Sequence, residues 1–577
     1  MHKIPKFASV NDGLDFLRKT LTRLGAGEVA LVRNPSYIYS PIEVYPLAPK
    51  VTAPLKRLAG IVKDMDGTTT TTEPLCLHSL EWMVREITGR KTAGVWAGLD
   101  HARDYPHIIG NSTTKHVEYL LLAYADAFDP SACLEAYLRA AAWTLSQGRD
   151  AGRRREVLAN ISALGLEGIL SDAEFRALAG LAGSGDAAAG RPDAAVGWPD
   201  AAAGRSDAAA GRPDSAVGRP DAAVGRPDAA AGRSDAAAGR SDAAVGASAS
   251  ERRPYNAAAV DAFAGRAAPA HLPGFRVQTL TDRVRAGVDI YYMRYHVILG
   301  DIADGRGAQR AAEVLGSSGG RLIEPMPGVG AFLAAVKGWL GEDLGLFAEE
   351  MCAHVRARNP AVGEDVLRGA PERLATLGRY LSRHPVPVAV VTSSICYEAE
   401  IVLGEVFSIL RQQIEGWPVS RGKKDALLPR FASPHTLYDA MITASDSSEI
   451  RLKPHRDLYS IALHTMGLTH DDLPYVAGFE DSESGVTAIR AAGVGLSVAV
   501  PFADTAGHDL SAAACILPGQ IPEALVVRNC FLDEKVVDEF DTLIRQARRQ
   551  AKASGMKRSD IAKAVAKVRG RKWRTGK

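Results

Sequence analysis

The chain has 577 residues, long enough for more than one domain, and its 46% hydrophobic and 24% charged content is that of an ordinary soluble globular protein. A formal net charge of +2 carries little information about partners, and six scattered cysteines with no Cys-x-x-Cys pair argue against a zinc site or a disulfide framework. The start, Met1-His2-Lys3-Ile4-Pro5-Lys6, lacks the apolar core of a signal peptide, and no apolar run is long enough to span a bilayer, so a cytoplasmic protein with no membrane partner is expected.

Residues 1–55 read as an N-terminal extension. A helical pattern (Leu14, Phe16, Leu17, Leu21, Leu24) precedes a strand-like Glu28-Val29-Ala30-Leu31-Val32 and a proline-rich connection. No chemistry is visible there, and the extension is expected to pack on the core. Next comes Ile61-Val62-Lys63-Asp64-Met65-Asp66-Gly67-Thr68, where a short apolar strand gives way to two carboxylates and a glycine turn. Residues i and i+2 of a strand point to the same side, so Asp64 and Asp66 share one site if that geometry persists. Two like charges so close are costly unless a cation or a shared proton neutralises them. Gly67 permits the sharp exit.

Glu73-Pro74-Leu75 opens a helix, with proline suitably placed in its first turn. Helical patterns continue through 117–122, 131–146 and 154–182, broken by the polar loop Ile108-Ile109-Gly110-Asn111-Ser112-Thr113-Thr114-Lys115. Residues 75–185 thus form a helical module inserted after the first strand. Over 186–248 the chain repeats the heptad Asp-Ala-Ala-Ala-Gly-Arg-Pro and close variants. Glycine and proline interrupt helix there, and alanine buries too little to offset chain entropy, so 186–250 is expected to be a flexible, disordered linker. Helices resume over 281–300, 308–315, 329–340, 344–357 and 371–383, making 251–384 a continuation of the inserted module, with Glu324-Pro325-Met326-Pro327-Gly328-Val329 as a turn.

Pro387-Val388-Ala389-Val390-Val391-Thr392-Ser393-Ser394 has the pattern of a buried parallel strand meeting a functional loop. A helix (396–415), a connection (416–436) and a strand at 438–443 follow. Leu452-Lys453-Pro454-His455 opens a helix reaching about Met466, and Pro474 to Ser482 reads as a strand ending in acids. A helix (485–492) and a strand (Val494 to Val500) complete the pattern. This alternation predicts an α/β fold: a Rossmann-like, mostly parallel sheet flanked by helices, with a large helical cap inserted after the first core strand. Residues 56–74 and 385–525 form the core. Ligands in such sheets gather beyond the carboxyl ends of the strands, where the polar residues above all fall. Residues 526–577 form a helical tail with a very basic end, expected to be solvated; a weak, salt-sensitive contact with nucleic acid is the alternative.

Asp64/Asp66, Thr392, Lys453 and Glu480/Asp481 follow one another in order. With Asp64-Met65-Asp66-Gly67-Thr68 as first motif, Val390-Val391-Thr392-Ser393-Ser394 as second, Lys453-Pro454 with Asp457 as third and Gly478 to Gly485 as fourth, the chain resembles the haloacid dehalogenase-like hydrolase superfamily. The resemblance is to its β-phosphoglucomutase and sugar-phosphate phosphatase branch, and it covers roughly 60–120 and 385–500. It implies Asp64 as a nucleophile that forms an aspartyl-phosphate and Asp66 as general acid, then base. It implies Thr392, with Ser393, as phosphoryl-binding groups and Lys453 as the cation that offsets charge on nucleophile and phosphate. It implies Mg²⁺ held by Asp64, the Asp66 backbone carbonyl, Glu480 and Asp481. Gly110, Asn111 and Ser112 resemble the cap loop that reads the substrate, a small phosphorylated metabolite such as a sugar phosphate.

Three departures bear on the reaction. Thr113 stands where related mutases tend to carry a cation soon after the glycine, Thr71 stands where Asp is frequent, and His455 replaces a frequent second proline after Lys453-Pro454. They weaken a phosphomutase reading and leave phosphatase chemistry in place. The alternatives are such a mutase, or a non-catalytic protein that binds a partner through its enlarged insertion and basic tail.

Overall fold

The expected strand in the N-terminal extension is present, and the connection after it contains a second one. Strands β1 (Glu28–Arg33) and β2 (Ile42–Leu47) pair antiparallel. The strict alternation of β2 buries Tyr45 and Leu47 and leaves Ile42 and Val44 exposed. Proline at 46 is tolerated because a two-stranded sheet has only edges.

These strands belong to a computed structural model that describes residues 27–33, 42–92, 94–108, 113–181, 255–266, 274–317, 319–447, 451–502 and 507–555, with a few isolated positions besides. The heptad repeats, the Gly110–Ser112 loop, most of the first 26 residues and the basic end beyond 563 lie outside the described residues.

Strand β3 (Gly60–Asp64) is buried at every position and sits inside a six-stranded sheet. With β6 (Val388–Val391), β7 (Ala440–Ile442), β8 (Val476–Glu480), β9 (Leu496–Ala499) and β10 (Cys515–Ile516), the order is β10-β9-β8-β3-β6-β7, and every pair is parallel. The fold is therefore α/β, as expected. Ile61 joins one apolar cluster and Val62 another, so the sheet is buried on both faces, which is why its strands read as continuous apolar runs. The two-residue strands β4 (Thr70–Thr71) and β5 (Glu324–Pro325) pair antiparallel beside the turn that follows Asp64. The segment expected as a simple turn at 324–329 instead closes a ladder and leads into a helix at Val329–Val336.

The insertion is helical, as its spacing predicts. Helix α1 (Glu73–Thr88) stops at Gly89, whose φ of 65° is the left-handed conformation that a helix end favours. Helices α2 (Thr113–Ala123) and α3 (Pro130–Gln147) follow, the latter capped by Asp129. Helix α4 (Leu280–Ala303), capped by Thr279, lies on the other side of the repeats, yet it packs against α1, α2 and α3. The two halves of the insertion thus form one unit. Helix α5 (Cys396–Gly416) of the core packs on α4. Helices α6 (Asp457–Thr465) and α7 (Glu483–Ala491) cover the opposite face of the sheet.

Some boundaries differ from expectation: the helical span expected over 154–182 is divided into Ala151–Ala163, the short turn Glu167–Ser171 and Ala173–Leu178. The connection at 416–436 contains short helices at Arg421–Leu427, Leu428–Phe431 and Pro434–Leu437. Helix α6 starts at Asp457, so Lys453 stands on the preceding loop, where Pro454 removes a backbone donor that a helix would need. All six cysteines are free. No described helix is long and apolar enough to cross a membrane.

Candidate active site

The parallel register brings three strand ends to one level. Asp64 is opposite Val391 in the β3–β6 ladder, and Lys63 is opposite Phe479 in the β3–β8 ladder. Asp64 and Glu480 therefore end adjacent strands side by side, with Thr392 just beyond β6. The Thr392 backbone N–H is held by the Ile442 carbonyl at 2.9 Å, which fixes the turn.

Lys453 comes to this edge from the loop before α6. Its Nζ donates to the Asp64 carboxylate, to Glu480 Oε1 at 2.7 Å and to the Val391 carbonyl at 3.3 Å. Burial works against the charge on Lys453, but Asp64 and Glu480 outweigh it and hold the ammonium protonated. Asp64, Glu480 and Asp481 are all buried, and each offers a carboxylate oxygen within 4.8 Å of the others. Burial, and next the charge of Glu480, push the carboxyls of Asp64 and Asp481 well above the usual range. With all three carboxylates ionised, one ammonium leaves two buried negative charges, which is the cost that raises those carboxyls. A divalent cation bound by hard oxygens matches that deficit, so the donor set fits Mg²⁺.

Two glycines make room for the acids. Gly67 has φ +73°, and a Cβ there would lie 2.2 Å from Asp481 Oδ2. A Cβ on Gly485 would lie 1.8 Å from the Glu480 carboxyl carbon. Glu480 is also oriented by the Tyr459 hydroxyl, which donates to Oε1 at 2.7 Å. The cap of α7 is Ser482, whose hydroxyl accepts from the Gly485 N–H at 3.2 Å. Capping thus falls to the serine and leaves both acids to the pocket.

Asp66 lies past the end of β3 and faces a different set of partners. Thr72 Oγ1 donates to Oδ1 at 2.5 Å, while Thr392 Oγ1 and Ser394 Oγ donate to Oδ2 at 3.1 and 3.4 Å. Dehydration raises its pKa, and the Thr72 and Thr392 hydroxyls draw it partly back. The Asp66 carboxyl is engaged by hydroxyls, so any share in holding a cation falls to its backbone carbonyl. Ser393 lies half-buried on the same turn as Thr392. The structure therefore brings together Asp64, Asp66, Thr392, Lys453, Glu480 and Asp481; Gly110, Asn111 and Ser112 lie outside the described residues, between Ile108 and Thr113.

Several residues of the site have no motif to announce them. Lys63, wholly buried, donates to the Thr68 carbonyl at 3.1 Å and to Thr69 Oγ1 at 2.9 Å, and Thr69 Oγ1 donates to the Asp64 carbonyl at 2.5 Å. This braces the turn after Asp64 from beneath. Burial lowers the pKa of Lys63 to about 7. On the insertion side, His296 of α4 meets Glu398 of α5 at 2.8 Å, both buried, and the Tyr291 hydroxyl donates to Cys76 of α1 at 3.5 Å. The alternation of strand and turn signals reveals neither contact, because each joins segments more than 100 residues apart.

No protein-family model matches the chain, and no curated protein does. Among solved structures the chain is similar to CbbY from Rhodobacter sphaeroides in complex with phosphate, at 14% identity over 42% of this chain and 64% of that one, with a TM-score of 0.22. It is also similar to a mutant CbbY from the same organism in complex with xylulose-(1,5)bisphosphate, at 15% identity over 38% and 62% of the two chains, with a TM-score of 0.21. The chain thus spans less than two thirds of the length of either structure.

Proposed function

We propose that this chain is a Mg²⁺-dependent phosphatase of the haloacid dehalogenase-like type, hydrolysing a small phosphorylated metabolite such as a sugar phosphate through an aspartyl-phosphate on Asp64. The observation that carries the reading is the convergence, at one sheet edge, of a buried three-carboxylate cluster with a lysine and a separate, hydroxyl-bound aspartate.

In the first step an Asp64 carboxylate oxygen attacks phosphorus and the ester P–O bond breaks. Asp66 gives its proton to the departing oxygen, a role its raised pKa supports. In the second step the Asp66 carboxylate takes a proton from water, whose oxygen attacks phosphorus. The acyl-phosphate P–O bond then breaks, releasing inorganic phosphate and restoring Asp64. Thr392 and Ser393 donate to the phosphoryl oxygens, and Lys453 offsets charge on both Asp64 and the phosphoryl group. Asp64, the Asp66 backbone carbonyl, Glu480 and Asp481 would hold Mg²⁺, which neutralises and orients the phosphoryl group when bound. The helical insertion acts as a cap that excludes bulk water, with Gly110, Asn111 and Ser112 reading the substrate.

The test is phosphate release from a panel of phosphomonoesters. Turnover should require Mg²⁺, disappear with EDTA and fall by at least about 10³-fold in Asp64→Asn. Interconversion of sugar phosphates with little free phosphate would replace this reading by a phosphomutase. The absence of Mg²⁺-dependent turnover on every ester would overturn it.

A further inference from the structure

The N-terminal strand pair reaches the loop that carries Lys453. Residues 452–456 of that loop are turns and bends, and a lysine on four rotatable bonds needs a fixed backbone if its ammonium is to bridge Asp64 and Glu480. The residues two positions to either side of Lys453 supply the anchors. Arg451 donates from Nε and Nη2 to both oxygens of Asp457, at 2.8 and 3.0 Å, and from Nη1 to both oxygens of Glu43, at 2.8 and 3.1 Å. His455, 4% exposed, meets the Tyr45 hydroxyl through Nδ1 at 2.7 Å, with the two rings edge-to-face at 5.6 Å. The Tyr45 hydroxyl donates to Glu43 Oε2 at 2.6 Å. A phenol has one proton to give, so His455 must be the donor in its bond to Tyr45.

Glu43 and Tyr45 lie two apart on β2 and so share the face turned toward the core. The other end of the strand pair, where Glu28 is opposite Leu47, is fastened to α7. The wholly buried Arg490 donates to the Ala48 carbonyl at 2.6 and 3.0 Å, to Ala512 at 3.0 Å and to Glu28. Ala48 returns a backbone bond to Arg490 at 3.0 Å, and Val32, Tyr45 and Leu47 pack with Ala491. Helix α7 starts directly after Glu480 and Asp481. The strand pair therefore joins the support of the acids to the loop of the lysine.

We propose that Glu43 and Tyr45 are positioning residues that set the Lys453 ammonium between Asp64 and Glu480. They touch no reacting atom and act through Arg451 and His455. The kinetic part of the test rests on the phosphatase reading; the placement of Lys453 can be measured without it.

The experiment compares full-length wild type with Glu43→Gln and Tyr45→Phe, both close to isosteric. Leu31→Ala, on the exposed face of β1, controls for general loosening of the strand pair. Lysine reactivity toward an amine-modifying reagent is read by mass spectrometry without substrate, with the buried Lys63 as internal reference. Lys453 labelling should rise by about fivefold or more in both variants and not in Leu31→Ala, the change expected from roughly 1 kcal/mol of easier local opening. With a phosphomonoester, kcat and kcat/KM should fall together by about tenfold, the signature of an interaction realised in the transition state. Unchanged Lys453 labelling overturns the proposal, whatever happens to kcat. Raised labelling in a protein whose wild type turns over no phosphoester supports the positioning role and overturns the phosphatase reading alone.

Discussion

At the scale of single residues, the site depends as much on what is absent as on what is present. Glu480 and Asp481 occupy the space that side chains at 485 and 67 would otherwise fill. Gly485→Ala places a methyl group inside the Glu480 carboxyl and must displace it, since a contact of 1.8 Å is far below van der Waals distance. The expected outcome is a loss of Mg²⁺ affinity of at least about tenfold, read by calorimetric titration in the absence of substrate, because an outward shift removes one ligand of a hard cation. Calorimetry showing unchanged affinity would mean that Glu480 is not a ligand. The acids themselves were legible in the sequence, as were Asp64, Asp66 and Thr392, because each ends or follows a short apolar strand, and Lys453 was legible from the Lys453-Pro454 pair ahead of a helical pattern. Tyr459, Lys63 and Glu43 were not. A lysine in a strand, a tyrosine in a helix and a glutamate in an edge strand have many ordinary explanations, and only their partners in space select one.

At the scale of elements, the parallel strands and most helices follow from hydrophobic period, whereas the short pieces do not. Strands of two residues such as β4 and β5 carry no period at all, and their antiparallel pairing, backed by the bond from Thr70 Oγ1 to the Glu324 carbonyl at 2.7 Å across 254 residues of sequence, is visible only in three dimensions. One polar cluster decides how the insertion's first loop is held. Asp104, fully buried, accepts from Arg103 Nε at 2.8 Å, Tyr119 at 3.0 Å, Tyr124 at 2.7 Å and the Asp100 N–H at 2.8 Å. Tyr119 lies in α2 and Tyr124 just after it, so this carboxylate ties together the segments on either side of Gly110, Asn111 and Ser112. Burial pushes the Asp104 pKa up, but Arg103, Tyr124, the Asp100 N–H and Tyr119 together bring it down to about 2. A folded-state pKa below the unfolded one contributes stability that is present above the ordinary carboxylate range and lost as pH falls through about 2. Asp104→Asn should therefore flatten the acid limb of melting temperature against pH between about 4 and 2, by roughly 1 kcal/mol after discounting for the solvent-exposed Arg103. An unaltered acid limb in thermal melts would show that the cluster is not coupled to folding.

At the scale of the whole molecule, the helices on the two sides of the repeats pack together. Ala173–Leu178 and Ala257–Arg266 touch each other and both rest on α3. A chain that leaves and re-enters the same helical unit needs only a short connection there. Replacing 186–248 by a short Gly/Ser linker should leave the melting temperature within a few degrees and phosphatase turnover within about twofold, since loop-closure entropy changes slowly with length. A large loss of either would give the repeats a structural or binding role. By itself the sequence determined the alternation of strands and helices and singled out the carboxylates, threonine and lysine that the structure gathers at one sheet edge, because period, turn chemistry and strand-end polarity are local. The tertiary structure alone decided that Glu43 and Tyr45 brace the lysine loop, that His296 meets Glu398 and that two glycines cradle the acids. Those facts depend on which distant segments become neighbours, and packing sets that, not propensity.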